Sequence, residues 1–103
     1  MNFDPANALD HQAALALIRR IIQSKSGQII FSSHAKKRMR ERGYKADDVL
    51  HILSKGDIES REFHDPSQAW RYTIRGEDLD GDEGAVVTAI IKSASFVVIT
   101  VLS

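Results

Sequence analysis

The chain has 103 residues, with 14 basic and 14 acidic side chains, so its net charge is zero when the histidines are neutral. Hydrophobic content of 43% and charged content of 27% are ordinary for a globular domain. Cysteine is absent, which excludes disulfides, thiolate metal sites and cysteine nucleophiles. We expect one domain over residues 1–103, without metal or cofactor. We expect this domain to be cytoplasmic, because no apolar run is long enough for a membrane span and no signal peptide is evident.

The N-terminal segment predicts a helix from Pro5 to about Lys25. Asp4 is its candidate N-cap, and Pro5 occupies the first helical position, where its missing N–H costs nothing. Arg19 and Arg20 interrupt a broad apolar surface, which favours burial within this chain or in a homodimer formed through this helix. The residues of that surface are Leu15, Leu17, Ile18, Ile21 and Ile22.

Two further helices follow a short strand. The apolar run QIIFS predicts a strand at 28–32. The next segment has Ser32 or Ser33 as a cap and Gly43 as a terminator, which indicates a second helix. KADDVLHILSKG predicts a third helix that stops at Gly56, with Asp47 and Asp48 at its positive end.

After Gly56 the periodicity changes to that of strands. DIESREFH predicts a polar edge strand, and AWRYTIR alternates between an apolar and a polar face. AVVTAII and SFVVITVL are β-branched runs that predict an antiparallel hairpin around KSAS. The sequence therefore predicts an α+β fold with N-terminal helices packed on one face of a C-terminal antiparallel sheet.

Positive charge is concentrated in SSHAKKRMRERG, residues 32–43, although the whole chain is neutral. On a helical wheel Ala35 and Met39 fall together and are expected to face the core. Lys36 and Arg40 border this stripe on one side, and Lys37 points outward.

A second file of side chains runs down the other border of the same helix. His34 lies one turn before Arg38, which lies one turn before Arg42. A histidine among guanidiniums suits the binding and cleavage of a phosphodiester, because arginines hold the phosphate while the histidine moves a proton. Arg71 and Arg75 could converge on this file from a strand. The alternative is a solvated basic face with a structural histidine.

The acidic segment EDLDGDEG predicts a hairpin turn rather than a cation site. Asp78, Asp80 and Asp82 imitate the first ligands of a calcium loop, but its sixth position, which demands glycine, is Glu83. Asp80-Gly81 is a favourable turn pair.

The other histidines show no metal-ligand spacing. We assign no role to His11, His51 and His64.

The segments FSSHAKKRMRERG, LSKG, WRYTIRGEDLDGDEGAVVTAII and VVITVL together resemble an uncharacterised group of small bacterial domains. The group's motif reads roughly Ser-x-His-Ala-x-x-Arg-Met-x-x-Arg-Gly, followed by a Tyr-x-x-x-Gly-x-Asp-x-Asp-Gly hairpin and an Ile-Thr-Val strand. The group in turn resembles the RelE/ParE toxin superfamily, including BrnT-type toxins. The resemblance covers about residues 28–102, so the first helix, within residues 1–27, is an addition to the toxin-like core, 28–103.

The resemblance implies a toxin-like protein that cleaves RNA, including ribosome-bound mRNA, without metal, and that a cognate antitoxin restrains. In that case His34 is the proton-transfer group, and Arg38, Arg71 and Arg75 hold the phosphate and stabilise the transition state. The supporting phosphate-binding residues are Lys36, Lys37, Arg40 and Arg42.

Two features separate this chain from typical toxins of that superfamily, which are strongly basic and lack its first helix. Neutral charge weakens the expectation of tight RNA binding. The alternatives are a non-catalytic module of the same fold that binds nucleic acid or protein, an interaction domain that dimerises, and ParE-like action on gyrase, since one fold supports several functions.

Overall fold

A computed structural model describes residues 3–102 of the chain. Its helices are α1 (His11–Gln23), α2 (Ser33–Arg42) and α3 (Ala46–Lys55). Its strands are β1 (Gln28–Phe31), β2 (Asp57–His64), β3 (Ala69–Glu77), β4 (Glu83–Lys92) and β5 (Ser95–Leu102), with a short 3-10 turn at Asp65–Ser67 between β2 and β3. Within the described residues, none of the helices has the length and apolar character needed to cross a bilayer.

The five strands form one sheet in the order β1-β5-β4-β3-β2. From β2 to β5 the strands form an antiparallel meander, and β2 is the edge strand that its polar sequence predicted. The predicted α+β class is confirmed. The sheet is mixed rather than wholly antiparallel, because β1 joins it beside β5 in the parallel direction, with Gln28 opposite Ser95 and Phe31 opposite Val98.

The three helices cover only one face of this sheet. Tyr72 and Ile74 point towards the helices from β3 and are 1% and 0% exposed, and Val86 opposes Ile74 on β4. The helices contribute apolar side chains to the same core: Ala14, Ile18 and Ile21 from α1, Ala35 and Met39 from α2, and Val49, Ile52 and Leu53 from α3. The opposite face, called the open face below, carries the intervening residues of β3, Arg71, Thr73 and Arg75.

Ser32 joins the end of β1 to the start of α2. Its backbone N–H donates to the Val98 carbonyl at 3.0 Å, which continues the sheet by one residue. Its hydroxyl accepts from the Ala35 N–H at 3.0 Å and donates to the Ile99 carbonyl at 2.8 Å. The same side chain therefore caps α2 and holds it beside β5.

The first helix begins six residues later than the sequence predicted. Asp4 and Pro5 form a separate turn, in which the Asp4 carboxylate accepts from the Ala6 N–H at 2.9 Å. Asp10 is the true N-cap and accepts from the Ala13 N–H at 2.7 Å. The prediction was wrong because the Asp-Pro signal for a helix start equally suits an isolated turn.

The helix α1 packs against α3 and the sheet of its own chain. Arg19 donates to the Gly56 carbonyl at 2.6 Å and to the Leu53 carbonyl at 3.4 Å, so it satisfies carbonyls at the end of α3. The apolar stripe Ala14, Ile18 and Ile21 is buried in the core. These contacts account for the buried stripe of α1 within one molecule, and the homodimer stays a prediction.

Replacing Tyr72 by phenylalanine is expected to lower the free energy of unfolding by about 1 kcal/mol, since the Tyr72 hydroxyl accepts a hydrogen bond from the Leu9 N–H at 2.9 Å in a partly buried site. Urea unfolding measures the loss of unfolding free energy. Faster hydrogen exchange at the Leu9 amide shows that the loss arises at this hydrogen bond. Tyr44→Phe serves as the control because it removes a hydroxyl elsewhere. Unchanged exchange at Leu9 in the Tyr72 variant would contradict the assignment.

Candidate nucleic-acid interface

The outward side of α2 carries a group of basic side chains and one histidine. His34, Lys36, Lys37 and Arg40 are exposed, and we call these four residues the basic face. Within residues 3–102, none of the four takes part in an ion pair. Side chains of this kind are free to contact an anionic partner at little desolvation cost.

Local sequence fixes the length and orientation of α2. Ser32 starts the helix, and Gly43 ends it with a left-handed φ of 71°, while its N–H donates to the Arg40 and Met39 carbonyls. Basic side chains in the last turn interact favourably with the negative end of the helix dipole. Ala35 and Met39 are 0% and 9% exposed, as the wheel predicted, so the basic face points away from the core.

Arg38 is held at the boundary between α2 and the sheet. Its guanidinium lies 3.5 Å from the Glu41 carboxylate, and its Nε donates to the Val101 carbonyl at 3.5 Å. Its side chain is 36% exposed, so it keeps access to solvent at the outer edge of β5. Arg38 therefore combines a packing role with a position near the basic face.

Arg42 points into a cluster at the end of α2. Its Nη2 donates to the Tyr44 hydroxyl at 3.2 Å, and its guanidinium lies 4.8 Å from the centre of the Tyr44 ring. Burial, together with the hydrogen bond to Asp78, raises the pKa of Tyr44 even though Arg42 acts to lower it. The hydroxyl therefore stays protonated at neutral pH and links Arg42 to Asp78.

The acidic segment is organised around Asp78 as a hairpin turn. The Asp78 carboxylate accepts from the Asp80 N–H at 2.9 Å and from the Asp82 N–H at 3.0 Å, and Gly81 has a φ of 84°. Burial acts to raise the pKa of Asp78, but these N–H donors, the Tyr44 hydroxyl and the Arg42 charge together lower it. The Asp78 carboxylate therefore stabilises its own loop.

Within residues 3–102 no group of three or more histidine and acidic side chains could hold a metal ion.

Arg75 is neutralised by neighbouring carboxylates. Its Nε lies 2.8 Å from Glu59 on β2, and its Nη1 lies 3.9 Å from Glu83 on β4. The hydrogen bond to Glu59 is the main reason that the pKa of Arg75 is raised, and the same bond lowers the pKa of Glu59. Arg75 is therefore engaged in ion pairs at the position where the sequence placed it as a phosphate ligand.

The expected convergence of Arg71 and Arg75 on the file of α2 is not found. Both arginines lie on the open face, whereas α2 packs Ala35 and Met39 into the core on the other face. Periodicity predicted the alternation along β3 but contained no information on which face α2 would cover. The predicted site residues are consequently divided between two surfaces.

The second surface is a cleft on the open face with a volume of about 260 Å³. We call it the open-face cleft, and it is lined by Glu62, His64, Arg71, Thr73, Val87, Thr100 and Leu102. Arg71 is the only one of the predicted site residues in it. His64, to which the sequence assigned no role, lies there because β2 folds back on β3 with His64 opposite Ala69. Only the strand register could have revealed that placement.

Comparison with known families gives one match. The family described as Domain of unknown function (DUF4258) matches residues 31–103, which include α2, α3 and the strands from β2 onwards. No curated protein and no solved structure gave a match. The match supports the predicted resemblance to an uncharacterised domain family and leaves α1 outside it.

Replacing Asp78 by asparagine is expected to destabilise the protein at neutral pH, because the carboxylate that accepts the loop and Tyr44 hydrogen bonds loses its charge. A lowered pKa means that the contribution of Asp78 is present above the ordinary aspartate pKa and is lost as the pH falls through the lower, folded value. Urea unfolding of both proteins from pH 7 to pH 2 tests this.

The wild type and Asp78→Asn should therefore differ in stability at pH 7, and the difference should begin to shrink below about pH 4 and disappear below the lowered, folded pKa of Asp78. Glu77→Gln is a suitable control, because Glu77 is exposed at the end of β3 in the same acidic segment. A difference between wild type and Asp78→Asn that does not shrink with falling pH would contradict the role of the ionised carboxylate.

Proposed function

We propose that this chain, which belongs to the family described as Domain of unknown function (DUF4258), binds RNA through the basic face of α2. The observation that carries the proposal is the exposure of Lys36, Lys37 and Arg40 on one helix, without an ion pair to any residue from 3 to 102. Arg75 and Arg19 differ from these three residues, because carboxylates engage Arg75 and backbone carbonyls engage Arg19.

Phosphates are the natural partners of such a face. A nucleic-acid backbone presents regularly spaced negative charges, and contact with lysine or arginine releases the counterions that these charges hold. Lys36 and Arg40 lie about one helical turn apart, and Lys37 lies about 100° around the helix from Lys36. The neutral net charge of the chain limits long-range attraction, so we expect binding of moderate strength that depends strongly on salt.

The resemblance to RelE/ParE toxins extends the proposal from binding to activity. A toxin-like protein of this kind would act in the cytoplasm, cleave RNA without metal and be restrained by a cognate antitoxin. His34, at the start of α2, is then the proton-transfer group beside the phosphates that Lys37 and Arg38 hold. Its exposure leaves the imidazole free to reach an RNA strand on the basic face.

The salt dependence of RNA affinity tests the binding proposal. Three phosphate contacts on a single strand predict a slope of about −2 for log K against log salt concentration. The triple variant Lys36→Gln, Lys37→Gln, Arg40→Gln should bind a single-stranded RNA at least about tenfold more weakly at low salt, with a slope smaller by about 2. Fluorescence anisotropy of a labelled RNA measures both quantities.

A matched control removes three positive charges elsewhere. Lys25, Lys55 and Lys92 are exposed and lie outside α2, so their triple replacement by glutamine changes net charge equally. This control should retain most of the affinity and the slope. Equal losses in both triple variants would show an effect of net charge alone and would contradict a defined basic face.

Induced expression in bacteria tests the toxin proposal. Wild type should arrest growth, and His34→Ala should not, whereas His11→Ala, which changes an exposed histidine on α1, should arrest growth like wild type. Thermal melts of the purified proteins establish that all three are folded. Normal growth with well-expressed, folded wild type would contradict the toxin activity while leaving RNA binding to be judged by its own measurement.

A further inference from the structure

A groove separates the N-terminal segment, residues 3–9, from one side of α1. Its volume is about 690 Å³, which lies within the range of roughly 300–1,000 Å³ that small-molecule pockets occupy. We call it the α1 groove. All but one of its lining residues precede residue 31, where the family match begins. The groove is therefore a feature of this chain's N-terminal addition and takes no part in the RNA contact proposed for α2.

The N-terminal segment forms one wall of the groove and is held in place by hydrogen bonds to β3. The Trp70 backbone N–H donates to the Pro5 carbonyl, and Trp70 Nε1 donates to the Ala6 carbonyl, both at 3.1 Å. The Leu9 N–H donates to the Tyr72 hydroxyl at 2.9 Å. This wall exists before a ligand arrives, which lowers the entropic cost of binding.

The other wall is one side of α1, next to the stripe that enters the core. It consists of residues at positions i, i+3, i+4 and i+7, which follow the helix for about 10 Å: Ala13, Ala16, Leu17 and Arg20. Ala13 and Ala16 are small and exposed, so they leave the groove open along its length. This long shape suits an extended chain.

The larger side chains that line the groove are apolar. Phe3 and Leu9 lie on the N-terminal wall, and Leu17 lies on α1. All three are half-buried. A hydrocarbon chain in the groove would remove more of their surface from water, which is the main source of affinity for an apolar ligand.

Arg20 adds a positive charge where the groove approaches the end of α1. A second cavity of about 200 Å³ continues from this point, and both cavities share Arg20 and Ser93. Within residues 3–102 Arg20 forms no ion pair. Its neighbour Arg19, in contrast, donates to two carbonyls at the end of α3. The Arg20 guanidinium and the Ser93 hydroxyl are therefore available to an oxyanion.

Asp4 also lines the groove, and its negative charge opposes an anionic ligand. Its carboxylate already accepts from the Ala6 N–H at 2.9 Å within the N-terminal turn. Arg20 can only donate hydrogen bonds, so its charge and its donors both require an acceptor. The polar group of the ligand is consequently expected at Arg20.

A second copy of the chain fits the groove less well than a small molecule does. A two-fold contact sets the same surface of both subunits against itself, so two grooves would face each other across an empty space. Stable interfaces are instead packed as closely as protein interiors.

We propose that the α1 groove binds the anion of a medium-chain fatty acid. The alkyl chain lies along Ala13, Ala16 and Leu17, and the carboxylate is bound by Arg20 and Ser93. The site is separate from the basic face of α2 and does not rest on RNA binding there.

Titrations followed by backbone amide shifts in two-dimensional NMR test the site with three ligands of equal chain length. Octanoate is the anion, 1-octanol is neutral and octyltrimethylammonium is the cation, each below the concentration at which it forms micelles or separates from water. Octanoate should produce saturable shifts at the amides of Ala13, Ala16, Leu17, Arg20 and Ser93. The alcohol should bind more weakly, and the cation most weakly.

Two variants separate the charged end of the groove from its apolar length. Arg20→Gln should weaken octanoate binding about threefold, the size expected for an exposed ion pair, and leave 1-octanol binding unchanged. Ala16→Trp fills the groove and should weaken the binding of both ligands at least about tenfold.

Each variant has a matched control. Lys55→Gln removes an exposed positive charge on α3, and His11→Trp adds an indole on α1 about 140° around the helix from Ala16. Both controls should bind octanoate like wild type. A dispersed spectrum establishes that each protein is folded.

Several results would overturn the proposal. These are the absence of saturable octanoate shifts up to about 10 mM, equal octanoate binding by wild type and Arg20→Gln, and binding of 1-octanol as tight as that of octanoate. Shifts of the groove amides on dilution of the protein alone would identify a second copy as the occupant. The triple glutamine variant of α2 should keep the octanoate shifts, so a failure of RNA binding on the basic face is distinguishable from a failure here.

Discussion

The hydrogen bonds of Ser32 determine where the basic helix lies. The parallel pairing of β1 with β5 ends at Phe31, and Ser32 then bonds both to the β5 backbone and to the first turn of α2. The chain must turn from strand to helix at this point, directly beside β5. Because Ala35 and Met39 then enter the core, Lys36, Lys37 and Arg40 point to solvent. A single capping serine thus fixes the orientation of the surface on which the proposed RNA contact depends.

Covering one face of the sheet leaves two charged surfaces with different chemistry. On α2 the basic face is convex and exposed, which suits contact with phosphates of an extended strand. On the open face, ion pairs around Arg75 neutralise one end of β3, whereas Arg71 lies in a cleft and forms no ion pair with any residue from 3 to 102. The zero net charge of the chain therefore does not describe the local charge of either surface. Carboxylates pair with Arg75 and organise the loop around Asp78, whereas Lys36, Lys37 and Arg40 form no ion pair within residues 3–102.

Local signals predicted most of the elements, and contacts between distant segments decided the rest. The ends of α2 at Ser32 and Gly43 and the edge position of β2 follow from capping, glycine and polarity. The parallel pairing of β1 could not be derived, because a four-residue apolar run specifies neither its neighbour nor its direction. The candidate site was divided for the same reason. Periodicity showed that Arg71 and Arg75 share a face, but the carboxylates that bind Arg75 and the approach of His64 depend on strand order.

The contact between α2 and β5 also protects the sheet. Beyond Val98 no strand of the described residues lies beside the outer edge of β5, and Ser32 and Arg38 donate hydrogen bonds to its carbonyls instead. This edge belongs to the run VVITVL, which is mostly β-branched, uncharged and free of proline, a composition that pairs readily with other chains. A substitution that loosens α2 from β5 would therefore favour self-association along that edge, even where every charge of the helix is retained.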